Sequence, residues 1–204
     1  MKTDTDHFAQ KAGTYEQSQK RVDNVANIAD TIMAHVDLNK AMHIVDFGSG
    51  TGLLLERIAP HVGKITAVDI SAAMNAKLLE KMPRLACEVD IAQIDLEETT
   101  LPQQYDGIIS SMAMHHVRDI EKMLCKFNAM LKPGGFIALA DLDTEDGSFH
   151  SPGTEGVYHN GFDREQMAQQ ASTAGFTHVS AHSASVIHKE PKDYGVFLLV
   201  GFKG

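Results

Sequence analysis

The chain is short of basic residues, cysteine and long apolar runs. Eighteen Lys and Arg stand against 27 Asp and Glu, a formal net charge of −9. Binding a nucleic-acid backbone needs a basic surface, and no Arg/Lys cluster with interleaved aromatics occurs, so nucleic acid is not the expected partner. Two cysteines exclude a disulfide framework. Cys87 and Cys125 both sit in apolar patterns, so buried free thiols in a reducing cytoplasm are expected. No apolar stretch reaches membrane-spanning length, and the opening Met-Lys-Thr-Asp-Thr-Asp-His is unlike a signal peptide, so neither membrane insertion nor export is expected. Repeats and low-complexity segments are missing. The 204 residues, 43% hydrophobic and 22% charged, fit one soluble domain spanning 1–204, monomeric or homodimeric.

The strongest local signal is Val45-Asp46-Phe47-Gly48-Ser49-Gly50-Thr51-Gly52-Leu53-Leu54. An apolar run enters Asp46, three glycines alternate, and Leu54, Leu55, Ile58 and Ala59 follow at helical spacing. This predicts a strand, a tight glycine turn and a helix, with a ligand site at the carboxyl end of a parallel strand. Glycine allows the sharp turn and close approach of a ligand to the backbone. The dinucleotide fingerprint G-x-G-x-x-G would need glycine at Leu53. Its third glycine comes one residue early, which disfavours pyrophosphate binding by a nicotinamide-dependent oxidoreductase.

The rest of the chain alternates helix and strand. Residues 21–36 carry a helical apolar stripe. Strands are predicted at about 42–47, 64–69, ending near Ile94-Asp95, 105–112, 136–142, 177–184 and 194–202. Ser71 and Asp163 are predicted helix caps, the latter with Gln166 in a capping box. Lys132-Pro133-Gly134-Gly135 reads as a turn before strand five. An irregular insert covers about 143–162. The last two strands have no helix between them and must be antiparallel neighbours.

The Asp-x-Gly-x-Gly-x-Gly pattern at 46–52 resembles motif I of the class I S-adenosylmethionine (SAM) methyltransferases. The Lys-Pro-Gly-Gly turn and Met114-His115-His116-Val117 resemble small-molecule members of the ubiquinone/menaquinone-biosynthesis type. The resemblance covers about 40–202. It implies an α/β fold: one doubly wound, Rossmann-like, seven-stranded sheet, mostly parallel with the last strand antiparallel, in the order 3-2-1-4-5-7-6. It implies a helical cap over 1–38 and a substrate-side insert at 143–162. The implied activity is methyl transfer from SAM to a small molecule.

Cofactor-binding candidates follow. Gly48, Ser49, Gly50 and Gly52 form the loop, and Asp46 orders it or meets the SAM amino group through water. Asp69 lies twenty-one residues after Gly48, where an acid can accept from both ribose hydroxyls. Ile70 and Met74 are placed to line adenine. The resemblance gives Asp95 and Leu96 to adenine, with Asp90 as rival if strand three is shorter. It also offers Ser111 and Met112 carbonyls to the amino group. Phe8 and Tyr15 resemble an N-terminal Phe-x(6)-Tyr segment that folds over SAM, and Arg21 is a weaker carboxylate partner.

Two groups are candidates for chemistry: His115-His116 after strand four, and the insert with His150, His159, Phe149 and Phe162. His116, His150 and His159 are the candidate catalytic histidines, as acceptors of the proton that the methyl acceptor loses. The competing reading has these histidines capping turns in a solvated acidic loop. No metal is expected, because neither a helical His-x-x-x-His pair nor cysteine-rich spacing is present. A non-catalytic SAM-binding module and a protein methyltransferase remain open.

Overall fold

The computed structural model describes residues 13–151 and 153–204. Helix α1 (Gln19–His35) precedes β1 (His43–Phe47), α2 (Leu53–Ile58), β2 (Lys64–Val68), α3 (Ala72–Lys81) and β3 (Glu88–Ala92). Then come β4 (Tyr105–Ser111), α4 (Ile120–Met130), β5 (Leu131–Leu142), α5 (Arg164–Thr173), β6 (Phe176–Lys189) and β7 (Lys192–Lys203). All seven strands form one sheet in the order β3-β2-β1-β4-β5-β7-β6. Strands β1 to β5 pair in parallel, and β7 runs antiparallel to both β5 and β6.

Side-chain alternation along the central strands feeds two apolar layers. On β5, Phe136, Ala138, Ala140 and Leu142 face the layer that includes α1 and α2, through Ile28, Ile32, Leu55 and Ile58. Ile137 and Leu139 face the other layer, with Leu124 and Phe127 of α4 and Met167 and Ala171 of α5. Burying a side chain such as Phe127 contributes about 1.5–3 kcal/mol. Both predicted caps form: Ser71 accepts from Met74 N–H at 3.2 Å and Asp163 from Gln166 N–H at 2.9 Å.

Four expectations need correction. β3 stops at Ala92, short of Ile94-Asp95. Beyond it, Asp95 Oδ1 accepts from Glu97 N–H at 2.8 Å and its carbonyl from Thr99 N–H at 2.8 Å, so the backbone turns. Ile94 and Leu96 mimicked a strand because both pack inward. Second, Lys132–Gly135 lies within β5 as a register break: Leu131 pairs with Tyr105, and Phe136 already with Gly107. Third, β6 and β7 extend beyond 177–184 and 194–202, into a long hairpin. Fourth, Cys125 is exposed and Cys87 only half-buried. On α4 the buried face is Ile120, Met123, Leu124, Phe127 and Met130, which leaves Cys125 outward. Among the described residues no helix is long and apolar enough to cross a membrane.

Strand β1 is the switch point. The chain leaves it toward β2 on one side and returns to β4 on the other, opening a crevice at the carboxyl ends.

Candidate active site

The glycine loop fills that crevice. Gly48, Gly50 and Gly52 have φ of 69°, 53° and 82°, a region costly for other residues. Gly48 and Ser49 N–H groups donate to Val68 O at 2.9 and 3.1 Å, which ties the loop to the end of β2. A Cβ on Gly48 would lie 2.3 Å from Ala113 Cβ, and one on Gly52 would lie 2.5 Å from Leu78 Cδ1. A Cβ on Gly50 would meet nothing within 4 Å. Two glycines thus serve packing, and the middle one faces open space.

Polar groups around the loop are under-satisfied. Among the described residues, Asp46 Oδ2, Ser49 Oγ, Thr51 Oγ1 and Ser111 Oγ are buried without a hydrogen-bond partner. Each such group costs about 1–3 kcal/mol unless a ligand meets it. Burial, and then the charge of Asp69, push the Asp46 carboxyl well above the usual range. Asp69 accepts from Gly50 N–H through Oδ2 and from Ser71 N–H through Oδ1, both at 2.8 Å. A carboxylate is an acceptor of several hydrogen bonds, the chemistry that neighbouring hydroxyls need. A polar ligand bearing hydroxyls and a positive charge fits this set.

The other candidates surround this loop unevenly. The 3₁₀ turn Tyr15–Gln17 brings Tyr15 within the field of Asp69. Burial raises the Tyr15 phenol, Arg21 lowers it and Asp69 raises it. Arg21 stacks 4.0 Å above the Tyr15 ring and donates to its carbonyl. Phe8 lies outside the described residues. Ile70 is 61% exposed just after Asp69, whereas Met74 is buried. Met112 follows Ser111 with φ of 59°, an uncommon conformation for a non-glycine residue, and its N–H donates to Ala140 O at 2.8 Å. Asp95 is exposed and engaged in its own turn, and Leu96 is buried. Asp90 sits inside β3, ion-paired with Lys64 at 2.8 Å, so neither acid ends the strand.

Beyond β4, a 3₁₀ turn at Met114–His116 carries two histidines against the end of β5. His115 is buried and its Nδ1 lies 2.7 Å from Asp141 Oδ1. Asp141, also buried, accepts the His115 backbone N–H at 3.1 Å and the Leu142 N–H at 2.7 Å. The His116 ring is 4.2 Å and the His150 ring 5.0 Å from the His115 ring, centroid to centroid. His116 Nδ1 lies 2.6 Å from Gly156 O. A carbonyl can only accept, so Nδ1 carries the proton and Nε2 the lone pair. Burial, and then His115, push the His116 pKa down to about 4, which keeps it neutral at pH 7.

His159 stands apart from these three. Its Nε2 lies 2.9 Å from Val117 O and its ring packs on Phe162. Phe149 and Phe162, the two aromatics singled out in the insert, join opposite apolar layers. The insert is closed at its base by an Asp143–Phe162 bridge, and Arg164 grips both Asp143 oxygens at 2.6 and 2.7 Å. Tyr158 N–H donates to His115 O at 2.9 Å, joining the insert to the histidine turn. Among the described residues no three His, Cys, Asp or Glu side chains are grouped to hold a metal ion. Sequence reasoning did not pair His115 with Asp141. The available signal was a lone acid inside the apolar run Phe136–Leu142.

A mostly parallel seven-stranded sheet with a glycine loop at its switch point, an acid after β2 and an antiparallel β6–β7 pair defines a doubly wound, Rossmann-like α/β fold with its ligand crevice at that loop. Residues 44–135 match a family described as "Methyltransferase domain". An uncharacterized methyltransferase of Geobacillus kaustophilus is 32% identical over 147 residues, covering 69% of this chain and 67% of its own. An uncharacterized methyltransferase of Schizosaccharomyces pombe is 30% identical over 163 residues, covering 72% of this chain and 56% of its own. This chain therefore spans little more than half of the yeast relative. The DhpI–SAH complex superposes with a TM-score of 0.73 at 19% identity, covering 97% of this chain and 94% of that one. The chain belongs to the class I SAM-dependent methyltransferase family.

Proposed function

We propose that this protein transfers the methyl group of SAM to a small molecule in the cytoplasm, in the manner of ubiquinone/menaquinone-type relatives. One observation carries the reading: Ala113, three residues before His116, lies directly against Gly48, so the histidine turn abuts the glycine loop. The cofactor set would be Tyr15, Asp46, Gly48, Ser49, Gly50, Gly52, Asp69, Ile70, Met74, Leu96, Ser111 and Met112, with Asp95 near adenine.

When bound, SAM supplies an activated methyl group on a positively charged sulfur. Asp69 would accept from the ribose hydroxyls, and Asp46, Ser49 and Ser111 would gain the partners they lack. An acceptor lone pair forms the new bond to the methyl carbon, and the carbon–sulfur bond breaks with its electron pair staying on sulfur. The acceptor's proton would go to the histidine cluster, with His116 and His150 as its candidate surface. His159, tied to the Val117 carbonyl, would shape the insert instead. The net charge of −9 suits a small acceptor better than a polyanion.

The test incubates the purified chain with SAM and panels of phenols and hydroquinones, amines, thiols and carboxylic acids, and follows release of S-adenosylhomocysteine (SAH). Turnover confined to one acceptor class is expected. SAH binding without turnover on any small molecule would favour the non-catalytic module or a macromolecular acceptor.

A further inference from the structure

The buried Asp141–His115 pair has a geometry that packing alone does not require. All three hydrogen bonds converge on one carboxylate: the His115 ring, the His115 backbone and the Leu142 backbone. Asp141 lies at the end of β5 in the register that faces Ile137 and Leu139 into an apolar layer. A carboxylate there is expensive unless it holds donors in place. It accepts from His115 Nδ1, so the lone pair is on Nε2, on the other side of the ring. The rings of His116 and His150 pack around that imidazole.

We propose that Asp141 is a positioning residue for methyl transfer. It fixes His115 with its proton on Nδ1 and steadies the imidazolium formed when Nε2 takes up the acceptor's proton. This inference rests on the acceptor site proposed above. In the transfer step the acceptor atom gains the methyl carbon and the sulfur keeps the electron pair of the broken bond. The acceptor's proton enters the histidine cluster and comes to rest on His115 Nε2 before passing to solvent. His115 suits that role because a carboxylate faces it at 2.7 Å, whereas His116 Nδ1 faces a carbonyl. A neutral amide cannot replace Asp141. Asparagine at 141 can keep its oxygen on His115 Nδ1–H and the Leu142 N–H only by turning its NH₂ toward the His115 backbone N–H, where two donors clash, and it offers an imidazolium no negative charge.

Nitrogen-15 NMR on histidine-labelled protein reads the tautomer directly, with His115→Gln assigning the signal. At neutral pH, His115 should carry its proton on Nδ1, and Asp141→Ala, which removes the acceptor, should shift it toward Nε2. A wild-type ring protonated on Nε2 would overturn the proposal without any variant, as would an Asp141→Ala variant that keeps the Nδ1 proton fully in place. SAH affinity of Asp141→Asn should stay within about threefold, because Asp141 makes no bond to the glycine loop, while kcat on an accepted substrate should fall about 10²-fold with little change in KM. A loss of SAH affinity above about tenfold would make Asp141 a support of the cofactor loop and defeat the claim. If no small acceptor is turned over, the reading of the reaction fails, and the NMR result still decides the carboxylate–imidazole assignment.

Discussion

Lowering the pH tests the histidine cluster without knowledge of any substrate. His116 has an ordinary pKa of 6.5 and is held at about 4 in the folded chain, chiefly by burial and then by His115. Above pH 6.5 the ring is neutral in both folded and unfolded states, and its stabilising contribution is complete. Between 6.5 and 4 only the unfolded chain takes the proton, so stability falls with pH by up to about 1.4 kcal/mol per unit. Over the whole window the loss is about 3 kcal/mol, a large share of a typical domain's stability. The buried Asp46 carboxyl works in the opposite sense. It keeps its proton in the folded state above the ordinary 3.8, so its contribution is greatest in acid and declines as pH rises. The wild-type profile therefore sums opposing slopes, and a difference measurement isolates His116. Urea unfolding from pH 4 to 7 would compare wild type with His116→Gln, which can still donate toward Gly156 O but does not titrate. The variant should lose about 3 kcal/mol less than wild type between pH 7 and pH 4. Parallel profiles would refute the claim that His116 is held neutral by its surroundings.

Gly50→Ala should cost only about 1–2 kcal/mol of stability, since its methyl meets no atom and only φ is unfavourable, yet SAH affinity should fall more than about tenfold. Gly48→Ala would put a Cβ only 2.3 Å from Ala113 Cβ and should destabilise by more than about 2 kcal/mol in thermal unfolding. Asp69→Ala removes the acceptor of the Gly50 and Ser71 N–H groups and should weaken SAH binding by roughly 1.5–3 kcal/mol in calorimetry. Asp95→Ala should weaken SAH binding more than Asp90→Ala, because Asp90 is engaged by Lys64; the reverse order would move the adenine site.

Most strand positions were legible because a parallel strand is a short apolar run closed by a turn signal, and the antiparallel last pair because no helix separates the two strands, whereas the strand order came only with the family resemblance. The glycine loop was legible because alternating glycines leave few other conformations. The end of β3 was not, since Ile94 and Leu96 keep a two-residue apolar period while Asp95 diverts the backbone into a turn. Periodicity records which side chains go inside, not where ladder hydrogen bonds stop. Cys125 was misjudged for a related reason: it borders Leu124 in sequence but lies on the opposite side of α4. The His115–Asp141 pair spans 26 residues and depends on the pairing of β4 with β5, which no local pattern encodes. For His159 the decisive partner, Val117 O, is likewise distant in sequence.

The most direct test of the account is a crystal structure with SAH bound. The account predicts the ribose on Asp69, the amino acid end beside Asp46 and Ser111, and the sulfur turned toward the cluster of His115, His116 and His150. A structure with the sulfur directed away from that cluster, and the three imidazoles cut off from any acceptor space, would contradict it.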